Sequence, residues 1–312
     1  MRIGFIGLGN LGLPLAASAV RGGHRTMGFD INGDRLEIFL EHGGIAAGTV
    51  SDAAGYGEAV VTVLPDAADV EAVALGRGGI LDSMTKNSVY VDMSTIDPHS
   101  TRRIGAAFAE RGMEMIDAPV ARSLEMAWAG NSLLMVGGKP AAIERARPFL
   151  DAVSELAIHC GPLGNGAATK LTNNFLANGI LAVAVEALGI GLMSGLTLET
   201  ILETVRLTGT SNRMMLENLP AHAFRGEFEP GFRSALAHKD QRLACGLAES
   251  HGLHAPLGAA TLEVLSDLVA AHPDHDLSAM LKHREDQAGF SARFAGSEQT
   301  GGPMARSTPS YC

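Results

Sequence analysis

The residues with the clearest chemical potential are glycines near the start of the chain. The run GLGNLG at residues 7–12 follows an apolar, strand-like stretch, Ile3–Ile6, and precedes an apolar helical stretch, Leu13–Val20. At a strand-to-helix turn, this spacing permits a tight turn, close approach of the backbone to a pyrophosphate, and close packing of the helix, whose N-terminus faces the anion. A glycine-rich turn without a ligand is the alternative. The predicted cofactor contacts in this turn are Gly7, Gly9, Asn10, Leu11 and Gly12.

An acidic residue at the end of the next strand favours the cofactor interpretation. Asp30 lies eighteen positions after Gly12, where a carboxylate can accept hydrogen bonds from both hydroxyls of a ribose. Its charge would repel a 2′-phosphate, and residues 31–33 offer no cation. We therefore predict NAD(H) rather than NADP(H) as the cofactor. Arg35 is a nearby cation that would oppose this preference if it turned toward a phosphate.

A lysine and two asparagines form a second group of chemically capable residues. Lys170, Asn174 and Asn178 are spaced four apart, so they project from one face of a helix. The helix is otherwise apolar, and polar groups buried in such a helix need partners. The spacing alone leaves two interpretations open. The lysine is a catalytic ammonium with amides beside it, or it reaches solvent while the amides tie neighbouring helices together.

The elements that position these residues divide the chain into two parts. Up to about Cys160, short β-type runs alternate with helical stretches, which predicts βαβ units and a mainly parallel sheet. From Gly161 the pattern is helical, beginning with a long helix over about 167–193 that is apolar nearly all round. We predict a dinucleotide-binding domain over residues 1–160, an all-helical substrate and dimerisation domain over 161–291, and a disordered tail over 292–312. The predicted strands are Ile3–Ile6, Thr26–Asp30, Val60–Leu64, Val89–Met93, Met113–Asp117, Leu133–Val136 and Leu156–Cys160.

Composition and charge exclude several classes of protein. Hydrophobic residues make up 46% of the chain and charged residues 19%, which is too apolar for disorder, and we expect no apolar run long enough to span a membrane. A net charge of −10 without a basic block argues against binding nucleic acid or an anionic membrane surface. Cys160, Cys245 and Cys312 match no disulfide or metal pattern, and no export signal precedes the first strand. We expect a cytoplasmic protein with reduced thiols and no metal.

Five ordered motifs follow the glycine turn, and together they are far more specific than the turn alone. They are Val63–Pro65, Asp92–Pro98, Asp117–Val120, Gly161–Asn174 and His238–Asp240. With the turn, they resemble the β-hydroxyacid dehydrogenase family over nearly the whole chain, to about Gly289. The resemblance implies an α/β fold, a doubly wound Rossmann-type sheet followed by an all-α domain like that of 6-phosphogluconate dehydrogenase. It also implies NAD(H)-linked interconversion of a small anionic semialdehyde and its hydroxy acid, by a homodimer or homotetramer.

The resemblance assigns roles to residues along the cofactor. It implies that Leu64, Pro65 and Thr95 lie beside the dinucleotide toward the nicotinamide. Independently, Pro65 and Thr95 each follow an apolar strand, which places them at the carboxyl edge of the sheet, where ligands bind. The family also places Lys239 near the cofactor, while a plain ion pair with Asp240 is the alternative.

The resemblance also favours catalysis by the lysine of the second group. Hydride transfer to a carbonyl leaves an alkoxide that must be protonated, and an ammonium can both protonate it and polarise the carbonyl. Lys170 is therefore the predicted proton donor, and Asn174 and Asn178 are predicted to bind the substrate. Neither role requires a metal.

One segment departs from the family pattern. Many members continue the Asp117–Val120 motif with Ser-Gly-Gly, whereas this chain has Ala121-Arg122-Ser123. A guanidinium offers a planar fork suited to an oxyanion, so Arg122 and Ser123 are predicted substrate contacts. The segment is most similar to the sulfolactaldehyde reductase branch, which implies a sulfonate contact at Arg122. The alternative is that Arg122 pairs with Glu125 or another acid at the surface.

Other functions stay open at this point. Within the same chemistry, the substrate alternatives are 3-hydroxyisobutyrate, tartronate semialdehyde and succinic semialdehyde. Imine reductases share the architecture but usually carry Asp or Tyr in place of the lysine, so Lys170 and Asp30 argue against them. A dinucleotide-binding module without catalysis would be favoured by loss of the lysine or by a basic extension, and the sequence has neither.

Overall fold

The computed structural model describes residues 1–294 of the chain. They belong to two compact units, one formed by Met1–Phe175 with Lys239–Ala255 and the other by Leu176–His238 with the residues from Pro256 onward. The predicted domain boundary at residue 160 lies just before a helix, Asn165–Met193, that begins in the first unit and ends in the second.

The first unit alternates strands and helices along the chain. Its strands are β1 (Arg2–Ile6), β2 (Arg25–Phe29), β3 (Ile45–Ala46), β4 (Ala59–Thr62), β5 (Val89–Asp92), β6 (Glu114–Asp117), β7 (Val120–Ala121), β8 (Ser132–Gly137) and β9 (Ser154–Gly161). Its helices are α1 (Gly12–Arg21), α2 (Gly33–Glu41), α3 (Val50–Tyr56), α4 (Ala67–Leu75), α5 (Ile80–Ser83), α6 (Pro98–Glu110), α7 (Leu124–Trp128) and α8 (Pro140–Val153), followed by the start of α9 (Asn165–Met193).

The strands form one sheet, which within residues 1–294 has nine strands in the order β3-β2-β1-β4-β5-β6-β8-β7, with β9 paired to β8. Strands β1 to β6 are mutually parallel, and β8 runs antiparallel to β6 and β7. All seven predicted strands are present within two residues at either end, which confirms the doubly wound Rossmann-type sheet. Strands β3 and β7 were not predicted, because a strand of two residues carries no periodicity.

The two faces of the sheet are covered by separate hydrophobic clusters. Because side chains alternate between faces along a strand, Phe5 and Val61 enter one cluster and Ile6 and Val60 the other. The strands β4 and β5 are buried at every residue, as expected for parallel strands with helices on both sides. Their carboxyl ends therefore form a rigid edge from which loops project.

The second unit is helical. It contains the end of α9, α10 (Leu198–Leu207), a π-helical turn (Met214–Asn218), α11 (Leu219–Ala221), a 3₁₀ turn (Ala223–Arg225), the start of α12 (Ser234–Ser250), α13 (Pro256–Ala271) and α14 (Ala279–Ala288). Its core includes Leu181, Val185 and Leu188 of α9. A single bridge between Arg233 and Asp276 is the β-type pairing found in the described part of this unit.

The first residues of the predicted tail pack against this unit. The backbone N–H of Ala292 donates to Glu285 Oε1 (2.7 Å), and Arg293 pairs with the same carboxylate. Phe294 lies edge-on to Phe224, with ring centroids 5.4 Å apart. Residues 295–312 lie outside the described residues.

Helix α9 corrects the expectation that no apolar run is long enough to span a membrane. By length and composition alone, Asn165–Met193 is long and apolar enough to do so. The apolar composition has a packing origin on one side, because Leu181, Val185 and Leu188 are fully buried in the core of the second unit. Charged residues within the helix, Lys170 and Glu186, are too few to break the run.

A buried carboxylate lies at the carboxyl end of β5. Asp92 Oδ1 accepts hydrogen bonds from Thr62 Oγ1 (2.9 Å) and from the backbone N–H of Ser94 (3.1 Å), while the Tyr90 hydroxyl contacts Thr62 Oγ1 at 2.9 Å. The other oxygen, Oδ2, has no hydrogen-bond partner within the described residues. Burial raises the pKa of Asp92 to about 6, although the hydrogen bonds from Ser94 and Thr62 oppose the rise.

This carboxyl makes stability depend on pH in an unusual direction. Because the pKa is higher in the folded state than in the unfolded chain, the native state holds an extra proton between about pH 4 and pH 6, and the contribution of Asp92 to stability is lost as the pH rises through that window. We expect Asp92→Asn to remove this loss. Between pH 4 and pH 7, the free energy of unfolding of the wild type should therefore fall by on the order of 3 kcal/mol more than that of the variant. Urea unfolding of both proteins at the two pH values measures the difference. A difference in unfolding free energy independent of pH would contradict the prediction.

Candidate active site

The glycine turn after β1 has little space for side chains where the sequence places its first and third glycines. Gly7 has a φ of +93°, and a Cβ there would lie 2.3 Å from the carbonyl oxygen of Val63. A Cβ at Gly12 would lie 1.9 Å from the carbonyl oxygen of Gly7, whereas one at Gly9 would meet nothing within 4 Å. Glycine is therefore required at positions 7 and 12 because a side chain would collide with the backbone. At Gly9 the space above the backbone is open, as close approach of a pyrophosphate requires.

The start of α1 is suited to an anion. Its N-cap position is Leu11, which makes no side-chain capping hydrogen bond, and its first turn carries no acidic residue. The first amides of a helix lack partners within the helix and carry a partial positive charge. With Asn10 exposed beside this turn, the site fits the phosphates of a dinucleotide.

The carboxylate of Asp30 is held against the same turn. Its Oδ2 accepts from the backbone N–H of Leu8 (2.6 Å) and its Oδ1 from the backbone N–H of Asn32 (2.8 Å). Arg35 Nη2 donates to Asn10 Oδ1 (2.7 Å), so the cation that the sequence analysis named also lies at the glycine turn. The structure thus brings an acidic and a basic group to one end of this site.

Lys239 joins two loops at the carboxyl edge of the sheet. Its Nζ donates to the carbonyl oxygens of Pro65 (2.9 Å) and Thr95 (2.8 Å). The backbone N–H of Leu64 donates to Ser94 Oγ (2.9 Å), which ties the same loops together. The predicted cofactor residues Leu64, Pro65, Thr95 and Lys239 are therefore neighbours in the structure. They follow β4 and β5, where the doubly wound sheet places ligands.

The lysine predicted to be catalytic lies beside a buried acid. Asp240 is 2% exposed, accepts from Asn174 Nδ2 (2.7 Å) and lies 3.5 Å from Lys239 Nζ. Burial lowers the pKa of Lys170, the Asp240 carboxylate opposes the decrease, and Lys239 adds to it. Burial raises the pKa of Asp240, and both lysines oppose that rise. A lysine with a lowered pKa gives up a proton more readily near neutral pH.

The two asparagines of the second group have different surroundings. Asn174 is buried, and its Oδ1 accepts from Asn173 Nδ2 (3.2 Å) while its Nδ2 reaches Asp240 on α12. It therefore also links two helices, which is the structural role that the spacing left open. Asn178 belongs to the second unit, where it is buried and donates from Nδ2 to the carbonyl oxygen of Ala237 (3.3 Å).

Arg122 has an exceptional backbone conformation. Its φ is +79°, and among the described residues it is the one non-glycine residue with a positive φ. Its Nη1 donates to the carbonyl oxygen of Asn131 (2.8 Å) and pairs with Glu155. The partner is thus not Glu125, although an acid does pair with Arg122. Both contacts use Nη1, and no hydrogen bond from Nη2 or Nε is found within the described part of the chain.

Ser123 is the other predicted substrate contact on this segment. It lies at the N-cap of α7, and its Oγ accepts from the backbone N–H of Met126 (3.4 Å). The residue is exposed. Its observed contact is therefore with the helix that it caps.

Three buried acids near these residues were not predicted to matter. Asp92, Asp117 and Asp240 entered the sequence analysis only within motifs or as an ion-pair partner. Asp92 and Asp117 pair in register as the last residues of β5 and β6. An aspartate that ends an apolar strand is a usable signal, because the carboxyl edge of such a sheet is where ligands bind.

Comparison with known proteins assigns the chain to a family. Residues 2–161 match the family described as the NAD-binding domain of 6-phosphogluconate dehydrogenase, and residues 164–284 match the one described as the NAD-binding domain of NADP-dependent 3-hydroxyisobutyrate dehydrogenase. The second match accords with the predicted 6-phosphogluconate-dehydrogenase-like C-terminal domain. Both matches show that a nicotinamide dinucleotide is the cofactor.

Individual relatives cover nearly the whole chain. The 3-sulfolactaldehyde reductase of Escherichia coli (strain K12) is 32% identical over 292 residues, covering 93% of this chain and 98% of that protein. The 3-hydroxyisobutyrate dehydrogenase of Pseudomonas aeruginosa is 31% identical over 280 residues, covering 88% and 94%. The structure of Mycobacterium tuberculosis 3-hydroxyisobutyrate dehydrogenase with L-serine superposes with a TM-score of 0.84 at 30% identity, covering 90% of this chain and 98% of that one. The chain belongs to the β-hydroxyacid dehydrogenase family and is an oxidoreductase that uses a nicotinamide dinucleotide.

Proposed function

We propose that this enzyme interconverts a small anionic semialdehyde and its hydroxy acid with NAD(H), and that Lys170 transfers the proton. The observation that carries the proposal is the cluster formed by Lys170, Asp240 and Asn174 in the same unit as the cofactor loops held by Lys239. A dinucleotide bound along those loops supplies or accepts the hydride. The protein must then supply or accept a proton at the same carbon's oxygen.

The residues of the cluster have distinct tasks in this chemistry. In the reductive direction, the Lys170 ammonium polarises the carbonyl and protonates the alkoxide that hydride transfer creates. Burial lowers the pKa of Lys170, which makes the ammonium a stronger proton donor, and the Asp240 carboxylate limits that decrease. Asn174 has its Nδ2 on Asp240, which orients the amide for a substrate oxygen. Asn178, four residues further along α9, is the second proposed substrate amide.

Lysine chemistry also separates this proposal from its rivals. An imine reductase usually carries Asp or Tyr where this chain has Lys170, and a non-catalytic module has no reason to keep a lysine beside a buried acid. Turnover of a semialdehyde with NADH by the purified protein, followed by absorbance, distinguishes the three functions. Absence of turnover across a panel of semialdehydes would refute the proposed activity.

The choice between dinucleotides depends on the pair of charges at the glycine turn. The Asp30 carboxylate is fixed by two backbone N–H groups where the ribose hydroxyls of NAD(H) would lie. A 2′-phosphate at that place would face a negative charge, which supports NAD(H). Arg35 lies at the same turn on Asn10 and is the group that would relax the preference.

Arg122 supports an anionic substrate, with 3-sulfolactaldehyde the first choice. A non-glycine residue at positive φ costs on the order of 1–2 kcal/mol, and such outliers point to functional positions. The Nη2 and Nε edge of the guanidinium is suited to a sulfonate or carboxylate. The Escherichia coli relative is named for 3-sulfolactaldehyde. Succinic semialdehyde, tartronate semialdehyde and 3-hydroxyisobutyrate are the alternatives.

An exposed apolar stripe on α9 supports assembly into a homodimer or homotetramer. Leu176, Val183 and Ile190 are spaced seven apart and are 61%, 67% and 71% exposed, a pattern typical of helix packing against a second helix. We propose that a second copy covers the stripe, that the helix does not enter a membrane, and that the enzyme is cytoplasmic and binds no nucleic acid. Sedimentation as a monomer at micromolar concentration would refute the assembly.

Removal of the proposed proton donor should affect turnover and spare cofactor binding. We expect Lys170→Ala to slow reduction by roughly 10²- to 10⁴-fold, the scale for loss of a positioned acid or base. NADH binding, followed by fluorescence titration, should stay within about twofold of wild type because the cofactor contacts lie elsewhere. A folded variant with wild-type turnover would remove Lys170 from the mechanism.

Charges at the glycine turn should set the cofactor preference in opposite directions. We expect wild type to have a higher kcat/KM with NADH than with NADPH, and Asp30→Ala to reduce that ratio because it removes the repulsion of the 2′-phosphate. Arg35→Ala should raise the ratio. Equal kcat/KM values for the two cofactors in wild type would show that the cation offsets the carboxylate and would contradict the predicted preference.

Substitution of Arg122 should lower activity toward a charged aldehyde more than activity toward an uncharged one. Arg122→Gly removes the guanidinium, and glycine adopts the positive φ at this position without strain. Any loss of activity therefore reports on the missing side chain. We expect kcat/KM to fall roughly 10- to 150-fold for a sulfonate-bearing aldehyde, on the order of 1.5–3 kcal/mol, and little for an uncharged aldehyde of similar size. Lysine at this position should rescue poorly.

Glu155→Gln is the matched control for this series, because it removes the observed partner of Arg122 and leaves the guanidinium in place. It should retain activity toward the charged aldehyde. Equal losses in Arg122→Gly and Glu155→Gln, or equal losses for charged and neutral aldehydes, would mean that Arg122 serves the fold.

A further inference from the structure

We propose that Asp117 is a positioning residue that fixes the first turn of α9 and thereby the location of Lys170. The inference rests on the proposed catalytic role of Lys170. Asp117 is the last residue of β6 and is 1% exposed. It belongs to neither the glycine turn nor the proposed substrate amides. We therefore infer its role from the hydrogen bonds of its carboxylate.

Both oxygens of this carboxylate hold backbone amides at the start of α9. Oδ1 accepts from the N–H of Gly164 (2.7 Å) and Oδ2 from the N–H of Ala167 (2.7 Å). The two amides are three residues apart, so the carboxylate spans the first turn of the helix. Ala167 precedes Lys170 by three residues, which is less than one helical turn. A shift of these amides would therefore move the lysine with little attenuation.

Two glycines of the surrounding backbone lie close to this carboxylate. A Cβ at Gly137 would lie 2.4 Å from Asp117 Oδ1, and one at Gly166 would lie 2.8 Å from Oδ2. Glycine at position 137 is thus a condition for the contact, whereas a Cβ at Gly166 would first meet the carbonyl oxygen of Met135, at 2.2 Å. The two glycines come from β8, the strand beside β6 in the sheet, and from α9 itself, so both elements approach Asp117 closely.

Stability at neutral pH does not explain the residue. Burial raises the pKa of Asp117 to about 6, the neighbouring Asp92 adds to the rise, and the hydrogen bonds from Gly164 and Ala167 oppose it. An acid whose pKa is raised by folding loses stabilising effect as the pH increases through that value. The anion is nevertheless the form in which both oxygens are acceptors only, since a protonated carboxyl carries an O–H donor on one of them.

Other contacts hold the preceding loop but not these amides. Asn165 Nδ2 donates to the carbonyl oxygen of Cys160 (3.0 Å), and Arg102 Nε donates to that of Leu163 (3.3 Å). Neither contact reaches the N–H groups of Gly164 or Ala167. The attachment of the helix start to the end of β6 therefore depends on Asp117.

The test compares two buried aspartates that each accept backbone amides through both carboxylate oxygens. Asp117→Asn should lower kcat by roughly 10- to 100-fold, the scale of a displacement of about 1 Å in a catalytic group, and leave the KM for NADH within about twofold. Hydrogen exchange in the peptide over residues 162–168 should accelerate. Asp276→Asn is the control, because Asp276 Oδ2 accepts from Gly231 and Phe232 in the second unit; it should lower the melting temperature and retain wild-type kcat.

Several outcomes would overturn the inference. Wild-type kcat in Asp117→Asn, unchanged exchange over 162–168, or an equal drop in kcat in Asp276→Asn would each do so. If Asp117→Asn does not fold, Gly137→Ala keeps the carboxylate but crowds its Oδ1, and a folded Gly137→Ala protein with wild-type kcat would also refute the role. Failure of the proposed function is a separate result, which the Lys170→Ala variant detects. If that variant keeps wild-type activity, Lys170 is not the proton donor, whatever the exchange data show.

Discussion

The Asp240 carboxylate lies close to Lys239 and to Lys170, and the arrangement of the site depends on it. Two ammonium groups near each other repel, and Lys239 adds to the lowering of the pKa of Lys170 by burial. A buried acid compensates one positive charge and accepts the amide of Asn174. Lys239 donates to the carbonyl oxygens of Pro65 and Thr95, and burial lowers the pKa of Lys170.

The sheet supplies the frame for this chemistry through the ends of its strands. The loops after β4 and β5 carry the predicted cofactor residues, and Asp117 at the end of β6 accepts hydrogen bonds from two amides at the start of α9. Parallel strands end at a common edge, so three successive strands bring their loops together without long-range adjustment. The buried position of β4 and β5 on both faces makes that edge rigid.

Much of this fold could be predicted from local patterns in the sequence. The glycine turn, the seven longer strands and the helix from about residue 167 to 193 follow from periodicity and from turn chemistry, which a few neighbouring residues determine. Asp240 could not be assigned a role in this way. Its partner Asn174 is sixty-six residues away along the chain, and no local pattern shows that the two meet.

Arg122 and α9 show two further structural facts that the sequence alone could not determine. A surface acid was an open alternative for Arg122, but its identity as Glu155 depends on the pairing of β8 with β9. The apolar composition of α9 was interpreted as a core helix, and composition alone cannot separate that from a membrane span. In both cases the missing information is tertiary, because it concerns which surfaces face each other.

The left-handed backbone at Arg122 has a consequence for how such enzymes change their substrates over evolutionary time. At that position the main chain already adopts a conformation that glycine takes freely and that other residues take at on the order of 1–2 kcal/mol. A single codon change can therefore exchange a bare backbone for a charged fork, or the reverse, without any rearrangement of β7 or α7. On the proposed role of Arg122 as the substrate contact, one such step would exchange the group that meets the substrate's anion while the rest of the fold stays unchanged.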